Sequence, residues 1–159
     1  MNPDPATSHR LHFELSDDPG DLMPRVESIE DFLAGVGCAP AAAQQIAIVA
    51  EEILTNIARD AWGEGPTGYC GVDVRAEPAG DLIHVTLRTE DDGVPFDPTA
   101  AEEPDLDASL EDREIGGLGI VLIRNMTDTQ TYRRIGSRNV FEVAKACARA
   151  MSADEPHPP

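Results

Sequence analysis

The longest regular pattern in this sequence is an apolar stripe between residues 40 and 62. Its members recur at steps of three and four, and they are Ile46, Val49, Ala50, Ile53 and Ile57. This spacing is typical of one buried face of an α-helix. Pro40 is a residue favoured at the first helical position, and Gly63 follows the last turn of the pattern. The sequence therefore predicts one long helix with a single apolar face.

Two polar side chains, Glu52 and Asn56, lie at one margin of this stripe. At about 100° per residue they fall within roughly 40° of each other, and Arg59 lies on the same margin. Glu51 points about 100° away, which favours a solvated charge at that position. An acid and an amide one turn apart at the edge of a buried face indicate a cleft. Glu52, and not its neighbour, is the candidate functional acid.

The other patterns predict strands and helices in alternation. In chain order they are a strand at 11–15, a helix within 22–37, a hairpin of 71–77 and 81–90, a helix within 116–128, and a hairpin within 129–146 that turns at Gly136 and Ser137. The segment 99–114 is strongly acidic and has no period, so we predict a long functional loop there. Residues 1–9 and 147–159 are predicted to be disordered tails, which leaves one domain at 10–146.

Charge and composition exclude several classes of partner and location. A net charge of −18 over 159 residues would repel a phosphate backbone, so nucleic acid and membrane partners are not expected. No apolar run approaches the roughly 20 residues that span a bilayer, and the first ten residues lack a signal-peptide core. A cytoplasmic location is therefore the expectation. The cysteines Cys38, Cys70 and Cys147 form no CxxC pair, and we expect buried reduced thiols.

Two glycine-containing motifs follow the long helix. DDGVPFDP (91–98) ends a predicted strand, and GGLG (116–119) enters a predicted helix. Alone, each motif is usually just a turn, but their combination and order with the Glu52 helix is much harder to obtain by chance. The glycines at 116, 117 and 119 allow backbone N–H groups to approach an anion closely at the positive end of a helix. This end of the site is predicted to bind a polyphosphate.

The remaining polar side chains suit the other parts of a nucleotide. Asn56 offers a neutral oxygen, a hard ligand suited to Mg²⁺ that is shared with phosphate oxygens. Asp91, at a strand end, could accept a hydrogen bond from an exocyclic amine such as that of adenine. Glu52 would then lie near the terminal phosphate as a base for an attacking hydroxyl or water.

These motifs resemble those of a known family. EEILTNIARDAW (51–62) resembles the N-box of the Bergerat-fold (GHKL) ATPases, which include gyrase, sensor histidine kinases and MutL-type proteins. DDGVPFDP and GGLGIVLIRNMTD resemble their G1 and G2 boxes. The details are most similar to the small anti-sigma factor serine/threonine kinases of the RsbW and SpoIIAB type, which often combine a DDGxPFDP box with an acidic loop ending in GGLG. The resemblance covers roughly residues 10–145.

The resemblance implies a fold and a set of site residues. The fold is α+β, a two-layer α/β sandwich whose mixed, mostly antiparallel sheet is covered on one face by helices near 22–35, 41–61 and 117–127. ATP would lie between these helices and the loop at 98–115. Glu52 is implied as catalytic base, Asn56 as Mg²⁺ ligand and Asp91 as the adenine-binding acid. The other implied nucleotide-binding residues are Arg59, Asp60, Gly93, Pro95, Phe96, Arg113, Gly117, Leu118, Gly119 and Ile120.

Two positions depart from the family pattern. Asp60-Ala61-Trp62 replaces an ending that normally contains His or Tyr, and Pro95 stands where many Bergerat ATPases have glycine. The departures bear on nucleotide affinity more than on the fold. Arg113 is expected to reach the γ-phosphate when the loop closes over the site.

Three functions compete. The resemblance implies a homodimeric kinase that uses ATP and Mg²⁺ to phosphorylate a small STAS-type anti-anti-sigma protein, and that sequesters a sigma factor. The alternative is a nucleotide-dependent binding module with little or no transfer activity. A histidine kinase catalytic domain is disfavoured, because no histidine lies in a long dimerising helix. Glu52 favours the kinase, since binding alone requires no base.

Overall fold

Residues 7–100 and 117–151 are the part of the chain that this computed structural model describes. Within them, five strands and three α-helices follow one another. They are β1 (His9–Glu14), α1 (Leu22–Gly35), α2 (Pro40–Asp60), β2 (Cys70–Ala79), β3 (Leu82–Asp91), α3 (Gly117–Met126), β4 (Thr129–Ile135) and β5 (Arg138–Ala148), with a short 3₁₀ turn (Pro19–Asp21) before α1. The bounds of the three helices agree with their predicted ranges to within one residue.

The five strands form one sheet in the order β1-β2-β3-β5-β4. All four pairings are antiparallel, so the prediction of a mostly antiparallel sheet is confirmed, and no parallel pair occurs in the described residues. Both predicted hairpins are present. Their turns contain Gly80 and Gly136, each with φ of 60°, a left-handed backbone conformation that glycine adopts without steric cost.

The sheet extends slightly beyond the predicted domain. His9 pairs with Ala76 and Ala148 pairs with Leu82, so both belong to strands and not to the predicted tails. Cys147, also assigned to a tail from sequence, pairs with Ile83. The correction has a simple cause, because backbone pairing continues wherever a neighbouring strand offers partners. Residues 1–6 and 152–159 of the predicted tails, and residues 101–114 of the acidic loop, lie outside the described residues.

One face of the sheet is buried beneath the helices. Alternate residues of β3, from Ile83 through Val85 to Leu87, are at most 1% exposed and belong to the same cluster as the apolar stripe of α2. The stripe is buried as predicted, except that Ile57 is only partly buried. The predicted two-layer α/β sandwich is therefore confirmed.

The three cysteines are buried free thiols, as predicted. Burial raises the pKa of the Cys70 thiol to about 12, and the charges of Asp91 and Asp92 act in the same direction. Cys70 therefore remains protonated at neutral pH. None of the helices in the described ranges is long and apolar enough to cross a bilayer.

Candidate functional site

Glu52 and Asn56 lie half-buried on α2 and face the first turn of α3. A Cβ atom added to Gly119 would overlap the Glu52 carboxylate and would lie 3.8 Å from Asn56 Nδ2. Glycine is the residue that permits this approach without displacing the carboxylate. Glu51 is half-buried as well, so burial does not separate the two acids. The contact with Gly119 separates them, because it involves Glu52, the acid that helical geometry selects.

A network of polar side chains occupies the last turn of α2. Arg59 donates from Nε and Nη2 to the Asp60 carboxylate, at 3.1 and 2.8 Å, and from Nη2 to Asn56 Oδ1 at 3.1 Å. The hydrogen bond with Asp60 raises the pKa of Arg59, and the negative charge of Glu52 contributes in the same direction. The Asn56 oxygen has two lone pairs and accepts one hydrogen bond from Arg59, so one lone pair remains for a further ligand.

The N-terminal end of α3 supplies a second component of the site. The helix begins at Gly117, and the first N–H groups of a helix have no partner inside it and carry partial positive charge. An anion bound there would lie beside Glu52, because Gly119 contacts that carboxylate. Leu118 is 52% exposed, whereas Ile120 is buried and lines a small cavity with Ile123. The role of Ile120 in nucleotide binding stays a prediction, and its side chain is directed into the protein.

Asp91 ends β3 and is only 5% exposed. Its Oδ1 atom accepts hydrogen bonds from the backbone N–H of Gly93 at 2.9 Å and from Asn139 Nδ2 at 3.0 Å. Its Oδ2 atom makes no hydrogen bond to any residue in the described ranges. Oδ2 is therefore the oxygen that a ligand could use.

The G1 turn, residues 91–96, docks against the C-terminal end of α2. A Cβ atom on Gly93 would lie 2.6 Å from the carbonyl oxygen of Ala61, far inside van der Waals contact. The next residue, Val94, donates its N–H to the same carbonyl at 2.8 Å. Ala61 is one of the residues that depart from the family pattern. Its carbonyl group makes the close backbone contact with the G1 turn. Pro95 and Phe96 lie beyond this contact and are exposed.

Trp62, the other unusual residue of that ending, holds the outer side of the same turn. Its Nε1 donates to Asp92 Oδ1 at 2.8 Å, and the backbone N–H of Tyr69 donates to the same oxygen at 2.8 Å. These hydrogen bonds, that of Trp62 first, lower the pKa of Asp92. The pairing joins the segment after α2 to the end of β3. Sequence reasoning missed this contact, which links residues 30 positions apart.

A third polar side chain that sequence reasoning missed is Asn139 of β5, which lies directly across the ladder from Asp91. It is 5% exposed and hydrogen-bonded to Asp91, to the G1 turn and to β4. The structure therefore brings Glu52, Asn56 and Gly119 together, and it places Asp91 with the G1 turn at the C-terminal end of α2. Arg113 and Gly116 lie outside the described residues. In the two described ranges, no three His, Cys, Asp or Glu side chains form a group suited to a metal.

The contact between Gly119 and Glu52 leads to a first prediction. Gly119→Ala is expected to push the Glu52 carboxylate aside and to lower any reaction that depends on it by up to about 100-fold, the size of loss that a misplacement near 1 Å can cause. The fold should survive, because the displaced atoms end a flexible side chain. Gly35→Ala in α1, where an added Cβ meets open space, is the matched control. Phosphoryl transfer and thermal unfolding, measured for both variants, check this. Full activity in Gly119→Ala would contradict it.

Comparisons with known proteins bear on this geometry. Residues 15–145 match the family described as the histidine kinase-like ATPase domain. A serine/threonine-protein kinase, BtrW of Bordetella bronchiseptica, is 32% identical over 89 residues, which span 56% of this chain and 60% of that protein. The crystal structure of the RsbU and RsbW domains of Rv1364c from Mycobacterium tuberculosis is similar in fold, with a TM-score of 0.57 and 14% identity, over 91% of this chain and 35% of that one.

The family match covers the candidate site and most of the sheet, but not β1. It begins in the segment after β1 and ends in β5, so it includes α2, the G1 turn and the N-terminal end of α3. These three elements correspond, in the same order, to the N-box, the G1 box and the G2 box of the sequence. Membership also implies that the chain binds ATP. This chain belongs to the histidine kinase-like ATPase domain family.

Proposed function

We propose that this chain is an ATP-dependent serine/threonine protein kinase of the anti-sigma factor type. It would transfer the γ-phosphoryl group to a Ser or Thr of a small anti-anti-sigma protein and regulate a sigma factor by sequestration. The observation that carries the proposal is the contact of the Glu52 carboxylate with Gly119, because a carboxylate then lies beside a helix N-terminus, the kind of site that holds phosphate. The similarity to a protein named as a serine/threonine kinase supports it.

The spacing of the site along α2 fits a nucleoside triphosphate. Gly119 meets this helix at Glu52 and Gly93 meets it at Ala61. Nine residues of helix correspond to about 13 Å, which is comparable with the length of an extended triphosphate nucleotide. The base would lie at the G1 turn, where Asp91 Oδ2 could accept a hydrogen bond from the adenine amine. The phosphates would lie at the N-terminus of α3.

Asn56 also fits a metal-bound triphosphate. Its half-exposed Oδ1 has a lone pair available beyond the one that Arg59 uses, and Mg²⁺ normally takes few protein ligands together with phosphate oxygens and water. When bound, the ion would neutralise part of the phosphate charge. Arg59, now paired with Asp60, is close enough to Asn56 to turn toward the same phosphates.

The proposed chemical step uses Glu52 as the base. The hydroxyl oxygen of the partner's Ser or Thr attacks the γ-phosphorus, and its proton passes to the Glu52 carboxylate. The bond between that phosphorus and the bridging oxygen of ADP breaks, and ADP leaves with the electron pair. Gly119 leaves room for the carboxylate to face the phosphates. Arg113 and Gly116 belong to the same proposal, but they lie outside the described residues.

A second candidate is a nucleotide-dependent binding module with little or no transfer activity. The observation that favours it is a set of exposed apolar side chains around the site, since Val94, Phe96 and Leu118 are 57%, 51% and 52% exposed. Exposed apolar residues that cluster at a site commonly mark a surface for a protein partner. Such a partner would cover the nucleotide. Homodimer formation and a cytoplasmic location are further expectations of the kinase proposal.

One experiment separates these candidates. The purified protein is incubated with γ-labelled ATP, Mg²⁺ and small STAS-type proteins from the same organism, and label on a Ser or Thr is measured. The kinase proposal predicts transfer to one of them. ATP binding without transfer to any partner, combined with nucleotide-dependent capture of a sigma factor or a STAS protein, would favour the binding module.

Asp91→Asn tests the base-binding end of the site. An amide can still accept the two hydrogen bonds now made to Oδ1, but its NH₂ group would then face the adenine amine, a donor against a donor. We expect ATP affinity, measured by calorimetry, to fall about 10- to 100-fold, as for a lost hydrogen bond to a charged group. Asp97→Asn is the control, because the same change there affects only a local turn with Thr99. Equal affinity in parent and Asp91→Asn would remove the assignment.

A further inference from the structure

We propose that Asn139 is a positioning residue, which orients the Asp91 carboxylate so that a single oxygen faces the base of a bound nucleotide. The proposal rests on the proposed nucleotide site and adds the residue that sets its preference for a base with an exocyclic amine. Asn139 would achieve this without touching the nucleotide. The donors and acceptors of the Asn139 side chain are all used in hydrogen bonds inside the protein.

The orientation of the Asn139 amide is fixed by the chemistry of its partners. Nδ2 lies 3.0 Å from Asp91 Oδ1 and 2.8 Å from the carbonyl oxygen of Val94, and both of these can only accept. Oδ1 lies 3.0 Å from Arg134 Nη1 and 3.3 Å from the backbone N–H of Phe96, and both of these can only donate. Exchanging the two ends of the amide would place donors against donors and acceptors against acceptors.

The same partners exhaust the capacity of this side chain. Both Nδ2 hydrogens are used, by Asp91 and by Val94. Oδ1 accepts a third hydrogen bond, from the Tyr132 hydroxyl at 2.6 Å, beyond the two lone pairs of an amide oxygen. At 5% exposure, Asn139 has no donor or acceptor left for a ligand. It can act on the nucleotide only through Asp91 and the G1 turn.

Asn139 determines which way Asp91 faces. The carboxylate receives N–H groups from Asn139 and Gly93 on one oxygen, so rotating it would break both hydrogen bonds. Oδ2 is thereby held as the oxygen that accepts no hydrogen bond from the described residues. An oriented acceptor favours a base with an amine at this point and disfavours one with a carbonyl, whose oxygen would meet another oxygen. Buried groups that a ligand leaves unpaired are costly, which makes such a site selective.

The backbone of the turn is held by the same cluster. Arg134 Nη1 donates to the Gly93 carbonyl at 3.0 Å as well as to Asn139. Carbonyl groups of Gly93 and Val94 and the N–H of Phe96 are thus tied to two adjacent strands. The position of the base-binding turn relative to the sheet therefore depends on the Asn139 amide together with Arg134.

The test compares two nucleoside triphosphates that differ at the exocyclic amine of the base. Dissociation constants for ATP and for inosine triphosphate, which carries a carbonyl in place of the adenine amine, are measured with Mg²⁺ by calorimetry. The parent should bind ATP more tightly. In Asn139→Leu, which keeps the branched shape of the side chain but donates nothing, ATP affinity should fall about 10- to 100-fold and inosine triphosphate affinity much less, so the preference shrinks.

A purely structural role would weaken both nucleotides alike. Tyr132→Phe is the control for lost stability, because it removes one hydrogen bond to Asn139 Oδ1 but leaves those to Asp91 and Val94. It should lower the unfolding temperature and keep the preference for ATP. Asn139→Thr, whose hydroxyl can still donate to Asp91, should recover part of the preference, and it is the variant to measure if Asn139→Leu does not fold.

The outcomes separate this inference from the function on which it rests. If the parent binds neither triphosphate, the proposed function fails. If the parent prefers ATP and Asn139→Leu, or Asn139→Thr in its place, keeps the full preference, only the positioning role is overturned. If the parent binds both triphosphates equally, base recognition by Asp91 is wrong, and the role of Asn139 is overturned with it.

Discussion

Replacing Glu52 by glutamine is expected to lower phosphoryl transfer by roughly 10²- to 10⁴-fold, the usual contribution of a general base. Glutamine keeps the shape of the side chain and its packing against Gly119, but its amide cannot accept the proton of an attacking hydroxyl. ATP affinity should hardly change, because the base acts in the chemical step. The measurements are the transfer rate to a cognate partner and the dissociation constant for ATP, each for parent and variant.

Glu51→Gln is the internal control for this substitution. The two acids are adjacent and similarly half-buried, but only Glu52 meets Gly119. The control removes one negative charge from α2, as the test variant does, so a general charge effect would appear in both. We expect Glu51→Gln to transfer phosphate at nearly the parent rate. Equal rates in parent and Glu52→Gln would favour the binding module, and a loss confined to Glu51→Gln would mean that the other acid is the base.

Asn56→Ala is expected to abolish Mg²⁺-dependent ATP binding or turnover. On this side of α2, Asn56 offers the neutral oxygen, and its loss should weaken Mg²⁺-ATP by more than the roughly 10- to 100-fold that follows removal of a group supporting a metal ligand. Folding stability should change little, since Asn56 is half-buried and alanine is a better helix former. Calorimetric titration of ATP, with Mg²⁺ and again with a chelator, measures the effect.

Thr55→Ala is the matched control, because Thr55 is the exposed neighbour of Asn56 on the same helix. It should bind Mg²⁺-ATP like the parent. The Asn56 variant also loses the hydrogen bond from Arg59, so Arg59→Ala is needed alongside it. If Asn56→Ala keeps its response to Mg²⁺ and loses no more affinity than Arg59→Ala, the asparagine acts through the arginine and is not a metal ligand.

Much of the fold could be predicted, because its signals are local. The stripe of α2 has a period that only a helix explains, and the alternation in β3 places Ile83, Val85 and Leu87 on one face. Glu52 and Asn56 followed from the same helical geometry, and their contact with Gly119 agrees with it. Each of these predictions used residues within a few turns of one another.

The rest of the site depends on contacts between distant segments. Asn139 was missed, although its position carried a signal, since it shares the inward face of β5 with Phe141 and Val143. A polar residue at an inward position must find hydrogen bonds, and here it finds them in a turn more than 40 residues away. The pairing of Trp62 with Asp92 had no comparable signal. Periodicity shows which face a residue occupies, but it does not identify the residue opposite.

The junction of β3 with β5 has a consequence for the order in which this protein assembles. Each outer hairpin, β2 with β3 and β4 with β5, can form from residues close in sequence, whereas Asp91 and Asn139 are 48 positions apart. Long-range pairings of this kind carry a larger loop-closure cost and tend to form late. Asp91 Oδ2 would therefore be oriented toward the base only after the two hairpins have joined. A nucleotide that binds this joined state alone would stabilise the whole domain, by about 2.7 kcal/mol at a concentration 100 times its dissociation constant.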